Sequence, residues 1–494
     1  MQTTEATLTL ATEEDTTRFG RALSRHLGTG DVVLLSGPIG AGKTHLARAV
    51  IRALTGPGED VPSPTFTLVQ TYDTAIGSLW HADLYRLSHP DEVWELGLDD
   101  AFATAISLVE WPDRLGTHAP ANAIRISMRP VGDGRLAEVM APGRDGLLAA
   151  LEAEFPSPAD RKLQSAAFVA AAGWSGATCA HLAGDASDRS YQRLTRPEGT
   201  AVLMDAPPGR GDPPAAFVAI ANHLRRLGLS APTVLAQNPD QGFLLLEDLG
   251  DRLYARHLAA QSADEAPLYT AATDVLLHLQ ARPAPADLPD PSATDWAEAA
   301  MLVSTWYRRA ITGEAGEDAP LRNALQGALR VHADGPRVLI LRDYHAENLL
   351  WLPERQGLAR VGLLDFQLAQ MGQPGYDLVS LLQDARRDVG VGTEAAMIAR
   401  FAARQPAPET FAAAYAVLGA QRALRILGIF ARLCLVAGKA QYLPLIPRVW
   451  VLLQRNLAHP ALAVVASACD DFLPEPTPDA LQRIVQACGR FPSP

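Results

Sequence analysis

The sequence predicts two folded domains in series: an α/β domain built on a helix-covered sheet, then a two-lobed α+β domain. Three observations predict this. A glycine loop, Gly37-Pro38-Ile39-Gly40-Ala41-Gly42-Lys43-Thr44, stands between an apolar run and a helical pattern. Far downstream, Asp343-Tyr344-His345-Ala346-Glu347-Asn348 is followed by a second apolar run and Asp365-Phe366-Gln367. At 494 residues the chain also exceeds what one hydrophobic core organises.

Ala6–Leu10 reads as a strand. Thr12 opens a helix through about His26, with Asp15 in capping-box spacing. Asp31–Ser36 is a short apolar run ending at glycine, a buried strand, and a helix over Lys43–Leu54 follows. Strand, glycine loop, helix is the setting a phosphate-binding P-loop requires. Further strands are expected at Thr67–Tyr72, Leu79–Asp83, Ile106–Glu110 and Ala123–Met128, completing an α/β P-loop NTPase domain over residues 1–155. The Pro/Ser stretch at 156–160 reads as a linker. Strands near Thr178–Ala183, Ser190–Thr195, Ala201–Asp205 and Gly242–Glu247, with a helix at Phe217–Leu227, make a small lobe over 161–250. From 251 to 494 the pattern is mostly helical, broken by short strands at Val338–Leu341, Leu349–Leu352 and Val361–Leu364. That is the plan of a protein-kinase-like fold.

Composition narrows the function classes. Apolar residues make up 48% and charged residues 20%, so full cores are expected. No uninterrupted apolar run reaches the roughly 18–20 residues of a membrane span. The N-terminus lacks a basic start, and the four cysteines form no C-x-x-C pair; both point to a cytoplasmic protein with free thiols. Net charge is −12, of which −9 falls in residues 1–155, so direct strong nucleic-acid binding by the first domain is not expected. Lys43, Lys162 and Lys439 are the only lysines.

In the first loop, the backbone N–H groups of Gly37, Gly40, Ala41 and Gly42 at a helix N-terminus cradle phosphates. Lys43 reaches the β- and γ-phosphates, and the Thr44 hydroxyl holds Mg²⁺. Glu110 ends an apolar strand and offers the carboxylate that the metal needs. Asp83 also follows a strand, although spacing alone does not separate it from a solvated loop acid. Together with Ser63-Pro64-Thr65-Phe66-Thr67-Leu68, His81-Ala82-Asp83-Leu84-Tyr85-Arg86-Leu87, Glu95-Leu96-Gly97 and Val109-Glu110-Trp111-Pro112, this loop resembles the TsaE family. That family supplies the ATPase of tRNA threonylcarbamoyladenosine (t6A) synthesis. The resemblance covers residues 1 to about 150. It implies ATP and Mg²⁺ as cofactors, Glu110 as a Walker-B-like metal ligand and Asp83 as a catalytic carboxylate. It also implies a switch-like segment at Ser63–Thr67 and a TsaB–TsaD-type complex as partner, with tRNA held by the partners.

The second constellation has the parts phosphoryl transfer to a hydroxyl needs. Asp343 stands where the base of a catalytic loop stands. Asn348, five residues on, and Asp365, after an apolar strand, stand where the metal ligands stand. Gly184–Tyr191 would cover the phosphates, with Asp185, Ser187 and Arg189 at the nucleotide. Backbone groups near Glu247 and Leu249 would read adenine, and Asp377 reads as a structural acid. The third small-lobe strand, Ala201–Asp205, lacks the lysine that kinases place there, so Arg189 or Arg193 substitutes or the domain is inactive. Leu341 replaces the first histidine of the H-x-D motif. These features are similar to a divergent aminoglycoside phosphotransferase. From Thr410 to Cys469 there is no Asp or Glu, but Arg422, Arg425, Arg432, Lys439, Arg448 and Arg455 are present. Arg425 and Arg432, one heptad apart, would favour a neutral or anionic acceptor.

Asp185–Tyr191, Met204-Asp205-Ala206-Pro207-Pro208, Leu341–Asn348 and the stretch Gly428–Lys439 resemble the AmgK family of N-acetylmuramate/N-acetylglucosamine kinases. The resemblance covers residues 160–494, including the lysine-free strand. It implies ATP-dependent phosphorylation of the anomeric hydroxyl of an amino sugar in cell-wall recycling. By position, Asp205 and Arg342 would contact the sugar. Two other readings of this half stay open: a kinase of an antibiotic or another small-molecule hydroxyl, and a non-catalytic pseudokinase module attached to the ATPase.

Overall fold

The computed structural model describes residues 5–65, 67–87, 92–131, 134–182, 189–208 and 212–491. The chain divides into two compact units, 1–175 and 176–494.

In the first unit seven strands form one mixed sheet: β1 (Glu5–Leu10), β2 (Val32–Ser36), β3 (Val69–Thr74), β4 (Gly77–Asp83), β5 (Ile106–Glu110), β6 (Ile124–Val131) and β7 (Gly134–Met140). Their order is β1-β7-β6-β2-β5-β4-β3. The inner strands β6, β2, β5 and β4 run parallel. Strand β2 is apolar at every inner position because both faces are covered. Val33 packs in one core with Phe19, Leu46 and Leu108, while Val32 and Leu34 pack in the other with Ala82, Leu84 and Leu115. Helix α1 (Glu13–Ser24) opens with the expected capping box: the Asp15 N–H donates to the Thr12 hydroxyl and the Thr12 N–H to the Asp15 carboxylate, both at 3.1 Å. Helix α2 (Lys43–Thr55) follows the glycine loop. Strand β7 was not expected. Arg135 and Glu138 break its apolar pattern, and pairing with β1 and β6 on its two edges makes it a strand. After α3 (Asp145–Glu154), residues 156–160 lead straight into α4 (Pro158–Ala171), where Ser157 accepts the Asp160 N–H, and the unit boundary falls after Ser175.

The second unit begins with an antiparallel five-stranded sheet of β8 (Thr178–Leu182), β9 (Ser190–Arg196), β10 (Gly199–Asp205), β11 (Val234–Asn238) and β12 (Phe243–Glu247). Their order is β11-β12-β10-β9-β8. Helix α5 (Pro214–Arg226) shares a core with it, joining Phe217, Ile220 and Leu224 to Met204, Leu244 and Leu246. The helical lobe carries two small antiparallel ribbons: β13 (Val338–Ile340) with β16 (Gln370–Gly372), and β14 (Leu349–Trp351) with β15 (Val361–Leu363). Helix α6 (Tyr376–Leu382) is wholly buried. At the centre lies α7 (Phe411–Leu435), packed against α8 (Ile446–Leu457) and the turn Val303–Arg308. The stretch Pro408–Leu435 is long and apolar enough to cross a membrane, yet 72% of its apolar window is buried inside this lobe.

Close packing on α7 makes a signed prediction. A Cβ on Gly428 would sit 2.3 Å from the Leu302 carbonyl carbon, whereas one on the exposed helical Gly327 meets nothing within 4 Å. In an urea titration, Gly327→Ala should stabilise the second unit by ~0.5–1 kcal/mol. Gly428→Ala should destabilise it by ~1–3 kcal/mol, against the usual helix preference for alanine.

Candidate active sites

Parallel register sets the first site. Glu110 pairs with Asp83 on one side and Leu35 on the other, so both carboxylates end up beside the loop that leaves β2. Gly37 has φ +136°, and a Cβ there would lie 2.2 Å from the Met128 carbonyl oxygen, so only glycine fits. Gly42 caps α2 with no side-chain bond, leaving the first-turn N–H groups available to an anion. Lys43 donates to the Gly37 and Pro38 carbonyls (2.8 and 3.0 Å), and its ammonium lies 3.9 Å from the centre of the Trp111 ring. Burial lowers the Lys43 pKa, while Glu110 and Asp83 pull it back up.

The Thr44 hydroxyl donates to Glu110 Oε2 at 2.8 Å. The other oxygen of Glu110 meets His81 Nε2 at 3.0 Å, and His81 is fully buried. Asp83 accepts the Thr65 hydroxyl (2.7 Å) and the Tyr85 N–H (3.0 Å), and Ser63 bonds Thr65 at 2.8 Å. The segment expected as switch-like is therefore tied to Asp83, although its Phe66 lies outside the described residues. The oxygen pair Thr44–Glu110 suits Mg²⁺, which takes one or two protein oxygens and completes its shell with phosphate and water.

Sequence reasoning missed the roles of His81, Trp111 and Arg135. The first two lie in the quoted motifs, but only the fold turns them toward Glu110 and Lys43. Arg135 packs against Gly42, with Nε and Nη1 buried and without partner. If His81 orients Glu110, His81→Ala should raise the Mg²⁺ concentration needed for tight fluorescent-ADP binding about 10–100-fold. Affinity in EDTA should stay within about twofold, because no phosphate-cradling group is lost.

The second site is built on the segments that follow β13 and β15. The Asp377 carboxylate accepts the N–H groups of Leu341 (2.6 Å) and Arg342 (2.9 Å), holding Arg342 at φ +72°. Asn348 Nδ2 donates to the Asp343 carbonyl at 2.9 Å and approaches Asp365 Oδ2 at 3.4 Å. Asp365, at φ +54°, also accepts from Gln367 Nε2 at 2.6 Å. The structure thus brings together Asp343, Asn348 and Asp365. A half-turn of the Asn348 amide would add its oxygen to the Asp365 carboxylate, an oxygen set that fits Mg²⁺. His345, two residues past Asp343, is buried; burial drives its pKa down to about 3, so it is a neutral imidazole.

Other expected residues are placed as follows. Asp185 and Ser187 lie outside the described residues. Arg189 is buried and donates to the Asp212 carbonyl at 2.8 Å. Arg193 is clamped by Asp248 (2.7 and 3.0 Å) and Asp251 (2.7 and 2.9 Å), which occupies a candidate for the missing lysine's role. Strand β10 puts the buried apolar side chains of Leu203 and Met204 before Asp205, which stands opposite Ser190 and Phe243. The Glu247 N–H is committed to the Thr233 carbonyl, and its carboxylate takes Thr233 and Arg355, while Leu249 is half-buried. Arg342 and Arg425 are half-buried and Arg432 is exposed.

The first unit is thus a P-loop nucleotide-binding domain, and the second a kinase-like phosphotransferase. Residues 10–136 match the family model "Threonylcarbamoyl adenosine biosynthesis protein TsaE", and residues 178–426 match the model "Phosphotransferase enzyme family". The chain is 40% identical over 358 residues to an N-acetylmuramate/N-acetylglucosamine kinase of Caulobacter vibrioides, covering 64% of this chain and 98% of that protein. A Pseudomonas aeruginosa protein of the same name is 33% identical over 308 residues, covering 59% of this chain and 89% of that protein. The TsaE protein of Rickettsia bellii is 36% identical over 135 residues, covering 27% of this chain and 94% of that protein. The chain belongs to the TsaE family in its first part and to the phosphotransferase enzyme family in its second, and both are families that use ATP.

Asp377 supplies a pH test. Burial pushes its carboxyl up to about 7, although the two backbone N–H groups and Arg422 pull it down. A raised folded pKa stabilises fully below the unfolded carboxylate range, near pH 4, and that contribution is lost as pH rises through about 7. Urea titrations of the second unit should therefore show it less stable at pH 8 than at pH 5, by at most ~3 kcal/mol from this group. Asp377→Asn should remove that difference, whatever it does to stability at either pH.

Proposed function

We propose that the chain is a bifunctional enzyme. Residues 1–155 act as the ATPase that serves tRNA t6A synthesis through a TsaB–TsaD-type complex. The kinase-like half phosphorylates the anomeric hydroxyl of N-acetylmuramate and N-acetylglucosamine, as in peptidoglycan recycling. The observation that carries this reading is coverage. The chain spans 98% of the Caulobacter kinase and 94% of the Rickettsia TsaE protein.

In the first half, the loop N–H groups and Lys43 bind the nucleotide phosphates. Asp83, tied to Thr65, links the segment before β3 to the γ-phosphate position. The acidic surface of this half leaves tRNA to its partners. In the second half, Asp343 accepts the proton of the sugar hydroxyl, and the segment 184–191 covers the phosphates. Leu249 contributes a backbone group at the adenine. Asp205 and Arg342 stand toward the sugar. Mg²⁺, held by Thr44 and Glu110 in one half and by Asn348 and Asp365 in the other, supplies charge neutralisation at the phosphates. We place both reactions in the cytoplasm, where tRNA, ATP and free thiols such as the four cysteines coexist.

One assay separates this reading from its rivals. With labelled ATP, the protein should phosphorylate N-acetylmuramate and N-acetylglucosamine and leave an aminoglycoside untouched. Asp343→Asn should lower kcat by roughly 10²–10⁴-fold while ADP binding persists. Aminoglycoside phosphorylation would overturn the sugar assignment, and absence of transfer to any acceptor would favour a pseudokinase. Expression in a strain lacking its own TsaE should restore t6A, and a Lys43→Ala version should not.

A further inference from the structure

The six cations between Thr410 and Cys469 have different surroundings. Arg448 is clamped by Asp388 at 2.9 and 3.1 Å, and Arg455 by Glu394 at 2.8 Å on both nitrogens. Arg432 reaches solvent. Arg422 does neither. It is only 7% exposed, its Nε is buried without a partner, and its guanidinium makes no hydrogen bond or ion pair with any described residue. An aromatic contact, the Tyr376 ring at 5.9 Å, lies beside it. A charge removed from water without a hydrogen-bonded counter-ion is costly, and a fold keeps one where something else completes it.

Its surroundings point to the acceptor side of the kinase site. The Arg422 charge acts on His345, two residues past Asp343, and on Asp377, which holds the catalytic loop. It also acts on Asp384, as do Arg386 and Arg387. Burial raises the Asp377 and Asp384 carboxyls, and neither forms an ion pair with the guanidinium among the described residues. His345 Nδ1 and Asp384 Oδ2, on both of which its charge acts, are also buried without partners. Native interiors leave few polar atoms unpaired, so these two beside an unpaired guanidinium mark a place where a polar guest or ordered water belongs. The crevice on the side of Gln383, Gly419 and Ile426 holds about 10 Å³, room for at most one water, so an internal anion is not the answer.

We infer that Arg422 is the residue that recognises an anionic acceptor, its guanidinium receiving the carboxylate of an acidic amino sugar whose hydroxyl faces Asp343. This rests on the sugar-kinase reading above and sharpens it. N-acetylmuramate carries a carboxylate and N-acetylglucosamine does not, so Arg422 sets preference between acceptors rather than the chemistry. It takes the place that the sequence pattern had suggested for Arg425 and Arg432.

The test uses the full chain with Arg422→Met and Arg422→Lys, each assayed on both sugars, together with thermal melting and ADP affinity. For Arg422→Met, the ratio of kcat/KM for N-acetylmuramate to that for N-acetylglucosamine should fall about 10–100-fold, mostly through KM. Arg422→Lys should recover part of that loss, since charge survives without the planar fork. Melting of Arg422→Met should not fall, because an apolar side chain replaces an unpaired buried charge. Equal loss on both sugars, an unchanged ratio, or a large drop in melting temperature with both activities gone would overturn the inference. Wild-type protein that phosphorylates neither sugar would instead overturn the sugar-kinase reading, a result visible before any variant is made.

Discussion

Acidic oxygens gathered at one point repel one another, and each half of this chain positions its own through a deeply buried polar side chain. In the second half, Asp377 is the anchor. By accepting the Leu341 and Arg342 N–H groups, it turns the chain through a left-handed residue and delivers Asp343 beside Asn348 and Asp365. In the first half, His81 takes one oxygen of Glu110 and leaves the other to Thr44. In each case the candidate site acid is placed by a second, deeper group with no access to solvent. Such placement is what preorganised phosphoryl chemistry requires.

The distribution of arginine follows the same logic. With only three lysines in the chain, guanidinium groups carry almost every cationic task. Several are neutralised by bidentate pairs, as in Arg193 with Asp248 and Asp251, or Arg400 with Asp274 (2.6 and 2.8 Å). These pairs tie elements together and are therefore unavailable to a ligand. Against that background Arg422 differs: its Nε is buried and unpaired, and no hydrogen bond or ion pair to a described residue neutralises it.

Much of the fold was readable because strong local signals agreed with one another. The continuous apolar run of β2, the capping box at Thr12 and the glycine loop each specify a local geometry that tertiary packing did not alter. Strand β7 was not readable, because a strand with Arg135 and Glu138 along it is made by its two neighbours rather than by its own pattern. The proline–serine stretch at 156–160 has turn chemistry, yet Ser157 and Pro158 are equally good helix openers, and the helix won.

The sequence by itself set out two separate groups of candidate phosphate- and metal-facing residues, because glycine loops and acid spacings follow from local backbone geometry. It also determined the acid-free stretch around α7. What only the tertiary structure decided is which of those cations stay unpaired. Arg448 and Arg455 meet Asp388 and Glu394 from elsewhere in the chain, and no spacing rule foresees partners some 60 residues away. The same holds for His81 and Asp377, whose roles arise from strand register and loop packing. Local bonding is written along the chain; charge compensation is settled in space.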